Sequence, residues 1–347
     1  MPDKHTLFRK TYSYIYPKVN LMKEVIHQYG VELDWVAGLA AQLNGYVEGN
    51  RIIIPDEVRP GNRYVLPINE HLTAFIIDVT YRQDVVYKLR NTRSDFVGIY
   101  FNLTEGESIH ILDKVSRTAG RWGYNLAIFD ADIQGDFQVK ADCTTYMIAI
   151  FITKTALKQY ISNIPEYEQL VESIFNPKLN TIVRFDRMSN QAWWLINELR
   201  KVSPEGPLYD VFVTGTVYGL IGDYMDQLIS QEIIIEQVIA EDVVNIMNSQ
   251  AFLIENIENA FPGIAELSSK AMMSETKYKK LFKKMTGVSP NAFFLSNKLS
   301  FAKEVLETGN YTIAEIADRF NFFGASHFIE QFKNAYGVPP KEYLTQL

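Results

Sequence analysis

The chain has 347 residues, of which 47% are hydrophobic and 22% charged, with a formal net charge of −7 and one cysteine, Cys143. That length suits two domains or three, each able to bury a core, and the composition is that of an ordinary globular protein. One cysteine excludes an internal disulfide framework and any zinc-held cysteine cluster, and suits a reducing compartment.

The opening residues, MPDKHTLFRK, lack the apolar core of a signal peptide. The best apolar run, 147–153, stops at Lys154 and is too short to cross a bilayer. Cytoplasm is the expected location, with no membrane partner.

Residues 19–28 carry a weak helical period ending at Gly30, and 33–43 read as another short helix. From 51 to 152 the pattern changes to period two and short runs of β-branched and aromatic residues. Strands are predicted at 51–54, 62–66, 72–81, 84–90, 96–103, 124–130, 136–140 and 145–152, separated by Gly, Pro and Asp turns. Strands at that spacing predict a β-sandwich or small, cupin-like barrel. After Thr153 apolar residues recur every three or four positions, predicting helices over 155–162, 165–175, 189–201 and 209–237. The last, with Val213, Val217, Leu220, Ile221, Tyr224 and Leu228, is either a dimer seam or a cover for the β-domain. A linker is expected between Gln231 and Asp242.

The C-terminal stretch is written twice. Residues 281–290 read LFKKMTGVSP and residues 331–340, fifty further on, read QFKNAYGVPP. Tyr278 and Phe328 lie four residues before Phe282 and Phe332, so each pair shares a helix face. Upstream, Ile264-Ala265-Glu266-Leu267 matches Ile313-Ala314-Glu315-Ile316 at an offset of forty-nine, so one copy has an extra residue in its turn. A duplicated short helix, turn and longer helix is a pair of helix-turn-helix modules, whose usual client is DNA.

The first recognition helix should begin after an N-cap at Ser274 and stop at Gly287. Tyr278, Leu281, Phe282 and Met285 share one arc, while Thr276, Lys279, Lys280 and Lys283 take the opposite one. With Lys277 and Lys284 this makes a local basic patch despite the acidic total, and phosphate neutralisation is a local contact effect. A basic face on one helix is also what any solvated surface shows, but the second copy argues against that.

Ser289-Pro290 opens a helix to about Thr308, with Leu295, Leu299, Ala302 and Leu306 on its buried side. At ~1.5 Å per residue it is roughly 28 Å long, near the ~34 Å between successive major grooves. The second module opens with a capping box, Thr312 to Glu315. Its recognition helix, about 324–336, is expected to bury Phe328, Phe332 and Ala335 and to expose Ser326, Ile329, Glu330 and Lys333.

These residues resemble the DNA-binding domain of AraC/XylS-type transcription regulators. The likeness covers the last hundred or so residues and is carried by the run from Ile313-Ala314-Glu315-Ile316-Ala317 through Phe328, Phe332-Lys333, Gly337-Val338 and Pro340 to Tyr343. It implies DNA contacts from the outer faces of both recognition helices, Thr276, Lys279 and Lys280 in the first and Ala325, Ser326, Ile329 and Glu330 in the second, and the basic residues Lys277, Lys283 and Lys333 are further candidates for DNA contact. The family often has Gly where this chain has Asn321, and Arg where it has Glu330. Glu330 either reads a base or marks a loosely seated second module. Phrases at 96–103 and 124–129 resemble the sensor halves of siderophore-type (pyochelin-regulator-like) members, which would imply a small-molecule effector.

The expected fold is thus α+β: a β-rich sensor over 1–160, a helical and dimerising segment over 161–237, and an all-α double helix-turn-helix domain over 238–347. The expected partners are double-stranded DNA, RNA polymerase, a small-molecule effector and a second copy of the chain. An enzyme is not expected. Only His71 and His110 lie in the β-region, too few for an oxygenase-type metal site, and no phosphate loop or nucleophile elbow is present. No cofactor or metal is expected. Two readings stay open: an effector-responsive activator, and a regulator whose N-terminal half only dimerises or binds a protein. For the first, the ligand residues would be Tyr64, Arg82, Tyr87, Arg90 and Trp122, within a set of aromatics and arginines (Arg63 and Arg93 among them) suited to an anionic aromatic ligand. Aromatics in strands are also ordinary core, and arginines mostly face out.

Overall fold

The computed structural model describes residues 22–55, 61–112, 115–120, 124–229 and 233–345. Among the described residues thirteen strands make two sheets. They are β1 (Lys23–His27), β2 (Tyr46–Glu48), β3 (Arg51–Ile53), β4 (Gly61–Asn69), β5 (Leu72–Thr80), β6 (Val85–Leu89), β7 (Phe96–Asn102), β8 (Ser108–Leu112), β9 (Val115–Thr118), β10 (Leu126–Asp130), β11 (Gly135–Val139), β12 (Thr144–Thr153) and β13 (Val183–Asp186). The smaller sheet runs β1-β6-β11-β8-β9 and the larger runs β13-β10-β7-β12-β5-β4-β3-β2. Among the strand pairs of the described residues, only β1–β6 is parallel.

The stretch 23–27, predicted as helix, is a strand. Val25 and His27 are buried while Glu24 and Ile26 are exposed, a period of two that five residues of a short apolar run only weakly distinguish from a helical one. The helix predicted just after it is present as a 3₁₀ turn, Leu33–Trp35, and α1 (Val36–Gln42).

The larger sheet is buried on both faces, so its central strands are near-continuous apolar runs. Along β4, Val65 joins the inner core between the sheets, while Tyr64 and Leu66 join a separate outer core. The outer core lies beneath α2 (Lys154–Ser162), α3 (Val171–Ile174), α4 (Asn190–Arg200) and α5 (Tyr209–Ile229). Val213, Val217 and Leu220 of α5 have no exposure, and Ile221 and Leu228 are also buried. The face read as a dimer seam therefore covers the sheet. The helix is described as far as Ile229, and residues 233–239 are neither helix nor strand, so the predicted helix to 237 runs too far.

The C-terminal helices are α6 (Ala240–Glu255), α7 (Ile264–Lys270), α8 (Glu275–Thr286), α9 (Pro290–Glu307), α10 (Ile313–Arg319), α11 (Ala325–Tyr336) and α12 (Pro340–Thr345). Their ends are those the sequence calls for. Ser274 Oγ accepts from Lys277 N, Thr312 and Glu315 close a capping box, and Gly287 and Gly337 stop α8 and α11 at φ of 78° and 81°. Tyr278, Phe282, Phe328 and Phe332 are fully buried, each contributing roughly 1.5–3 kcal/mol. Ala335, expected inside, is exposed and Leu295 is half-buried. Short side chains on a helix boundary report burial poorly.

Packing does not stop at the linker. Helix α8 lies against β13, and Gln250 Nε2 of α6 donates to the Phe185 carbonyl at 3.0 Å in a buried hydrogen bond. The inner core of the barrel and the core of the C-terminal helices form one continuous apolar cluster.

Candidate nucleic-acid interface and barrel cavity

The two modules differ as the offsets foretold. Four residues separate α7 from α8 and five separate α10 from α11, so the extra residue lies in the second turn. Each turn needs a left-handed residue at the same place: Met272 has φ 54° and Asn321 φ 51°. Asparagine is, after glycine, the residue that best tolerates that conformation, which explains Asn321 where glycine is the common choice.

On α8, Thr276, Lys277, Lys279 and Lys280 are exposed and Lys283 is half-buried. Several of these cations already have anionic partners. Lys277 Nζ meets Asp242 of α6 at 2.8 Å, and Lys280 Nζ meets Glu236 of the linker at 2.5 Å. Lys284, one residue beyond the predicted face, turns to the N-terminal half, donating to Asn180 Oδ1 at 2.5 Å and to the Ile234 carbonyl at 2.8 Å. Burial lowers its pKa to about 8, against the raising field of Glu236. Lys279 projects beside residues 233–235 of the linker. The first recognition helix is thus basic on its outer arc and moored at its C-terminal end.

On α11, Ser326, Glu330 and Lys333 are exposed and Ala325 and Ile329 half-buried. Among the described residues Glu330 and Lys333 form no ion pair. At the tip of the preceding turn Phe323 is 97% exposed. Between the modules α9 spans 18 residues, roughly 27 Å at ~1.5 Å each. Its buried Lys298 donates to the Asn259 carbonyl at 2.6 Å and lies 4.7 Å from the Phe294 ring centre, 5.6 Å from that of Phe322.

Between the sheets of the barrel is a cavity of about 100 Å³. Aromatic side chains dominate the wall: Tyr29, Tyr81, Tyr87, Tyr100, Phe129 and Phe137. Tyr100 stacks on Phe129 at 4.8 Å between ring centres. Two histidines complete it. Burial lowers both His27 and His110 to a pKa of about 4, so both are neutral at pH 7, and His110 Nδ1 is hydrogen-bonded to the Tyr124 hydroxyl.

Of the ligand residues read from the sequence, Tyr87 lines this cavity. Tyr64 faces the other way, packing edge-on against Tyr209 at 4.9 Å and hydrogen-bonding Asp210, because it has the opposite parity to Val65 on β4. Arg82 is exposed, and Arg90 pairs with Asp136 at 2.7 Å. Trp122 lies outside the described residues. His27 and Tyr29 were missed; the available signal was the period of two in KEVIH.

The helix-turn-helix domain family matches residues 267–346. The uncharacterized HTH-type transcriptional regulator YidL of Escherichia coli K12 is 31% identical over 81 residues, 23% of this chain and 27% of that protein. The multiple antibiotic resistance protein MarA of the same organism is 26% identical over 102 residues, 29% of this chain and 80% of MarA. Among solved structures, that of ToxT from Vibrio cholerae is 16% identical with a TM-score of 0.30, covering 80% of this chain and 99% of that one. The chain spans about a quarter to a third of the length of the first curated relatives it matches.

Proposed function

We propose that this chain, whose last eighty residues are an AraC-type helix-turn-helix domain, is a sequence-specific transcription regulator. It places α8 and α11 in adjacent major grooves of double-stranded DNA and answers to a small molecule held in the barrel. The observation that carries the reading is the pair of capped modules set at the two ends of α9, whose ~27 Å length approaches the groove repeat. On α8 the contacts come from Thr276, Lys277, Lys279, Lys280 and Lys283. On α11 they come from Ala325, Ser326, Ile329 and Lys333, with Glu330 the departure. RNA polymerase is the partner through which bound regulator acts, and the cytoplasm is its place.

The test is to sequence DNA fragments retained by the full chain from a random pool. Two short conserved blocks, centred about one helical turn apart, are the expected result. Retention without sequence preference would leave only a non-specific DNA binder. A second reading of the N-terminal half, as a surface for another protein or a second copy, has one observation in its favour. Trp194, Val211 and Phe212 on the outward face of α4 and α5 are 55%, 66% and 50% exposed. Sedimentation of the chain at several concentrations separates the two.

A further inference from the structure

The inner face of the larger sheet carries a row of paired residues. Arg63 of β4 is opposite Ile77 of β5, Ile77 opposite Met147 of β12, and Met147 opposite Asn102 of β7. Residues in register across antiparallel strands present their side chains on one face, and Ile77, Met147 and Asn102 all line the barrel cavity. Arg63 therefore rises from the same face, one strand further along, next to the residues that line the cavity and not itself one of them, on the same side of β4 as inner-core Val65.

Its surroundings are unusual for a cation. Arg63 is 2% exposed, the largest fully buried side chain among the described residues. Neither Nη1 nor Nη2 has a hydrogen-bond partner there, and the guanidinium forms no ion pair among the described residues. Arginine does not shed its proton to escape such a site, and a buried charge without a partner is strongly disfavoured. His27, on the cavity wall, has a second orphan, its buried Nδ1. Tyr29, also on the wall, lies within the field of Arg63. The other described residues that line the cavity are neutral, chiefly phenols, phenyl rings and two uncharged imidazoles, and the nearby charges that act on those imidazoles, Arg90 and Asp136, are paired with each other.

We propose that the barrel cavity binds an aromatic monocarboxylate, its carboxylate taken by the two free Nη groups of Arg63 and its ring packed among Tyr29, Tyr87, Tyr100 and Phe129. The fork of the guanidinium matches a carboxylate in two parallel hydrogen bonds. A single fixed cation balances one negative charge and would leave a phosphate dianion half unpaired. Flat aromatic walls favour a ring over an alkyl chain. This proposal rests on the reading of the barrel as the effector half only for its regulatory meaning; the binding stands on Arg63 and the cavity.

The test uses the full chain and three probes, benzoate, phenylacetate and 4-hydroxybenzoate, each with its neutral amide, plus octanoate and phenyl phosphate. Calorimetric titration should find saturable binding of at least one aromatic carboxylate, with its amide, octanoate and phenyl phosphate at least tenfold weaker. Arg63→Gln should abolish the preference for acid over amide, and Arg63→Lys should keep part of it. Arg63→Gln without ligand should melt at or above the temperature of the wild type, because an uncompensated charge is gone. If Arg63→Gln does not fold, the acid-to-amide ratio in the wild type and in Arg63→Lys carries the test.

Failure of all three acids, equal binding of acid and amide, or an unchanged preference in Arg63→Gln overturns the proposal. Octanoate or phenyl phosphate binding as tightly as the aromatic acids overturns it too. DNA binding is read separately. An acid that binds without changing DNA affinity sinks the regulatory reading and leaves the site, whereas a chain that never binds DNA sinks the proposed function alone.

Discussion

The ion pair between Lys280 and Glu236 sets a competition that can be measured. Lys280 is on the outer arc of α8, and its ammonium is 2.5 Å from a linker carboxylate. To reach a phosphate it must leave that carboxylate. Both side chains are nearly half exposed, at 47% and 41%, and pairs of that kind contribute about 0.2–1 kcal/mol. Glu236→Gln should therefore tighten DNA binding about 1.5- to 5-fold at low salt, and the gain should fade as the Debye length shortens above ~0.5 M. Glu236 also lies in the field of Lys284, so the substitution loosens the mooring of α8 as well. A double-mutant cycle with Lys280→Ala separates the two effects. If competition at Lys280 is the cause, Glu236→Gln has little effect in the Lys280→Ala background. If the mooring is the cause, the gain survives there. Fluorescence anisotropy on a fixed duplex across a salt series supplies all four affinities. Unchanged or weaker binding by Glu236→Gln, with Lys280→Ala still weakening it, would refute the competition.

Three further outcomes are expected. Met272 holds a left-handed conformation with its side chain 75% exposed, so Met272→Gly should raise stability by ~1 kcal/mol; destabilisation in a urea melt would mean that the side chain packs more than its exposure suggests. Glu330→Arg replaces an exposed anion on α11 with a cation, and should tighten binding to all duplexes and steepen the log–log salt slope by roughly one, whereas weaker binding to a selected site alone would mark Glu330 as a base reader. His27 and His110 have folded pKa values of about 4, below their ordinary 6.5. Their stabilising contribution is complete above pH 6.5 and is lost as pH falls towards 4, by up to a few kcal/mol each at ~1.4 kcal/mol per unit; His110→Phe should flatten the decline seen in urea melts between pH 7 and 4.5.

The C-terminal half was legible because its signals are local. Caps, left-handed stops and four-residue aromatic pairs all act within a turn of one helix, and the fifty-residue repeat supplied an internal control. The N-terminal half was legible where strands are long and central, as at 72–80 and 144–153, and less so at its margins. β2, β8, β9 and β13 went unread, since strands of three to five residues show a period only weakly. The basic arc of α8 followed from a helical wheel, but the pairing of Lys280 with Glu236, 44 residues away, did not. Arg63 shows the same limit. An arginine in a strand reads as outward-facing, and only the register of four strands reveals that this one faces in.

Helix α9 gives the molecule a lever. One of its ends adjoins α8, which is held to the barrel through Lys284 and β13, while the other carries α10 and α11. Rotating an arm of ~27 Å by 10° sweeps its far end through about 5 Å, a large fraction of a minor-groove width. A small turn at the moored end, of the size that repacking around Lys284 would produce, is thus magnified where the second module would meet DNA. If the two helices are read as proposed, such gearing would turn ångström-scale changes in the barrel into the difference between a pair that fits successive grooves together and a pair that fits only one at a time.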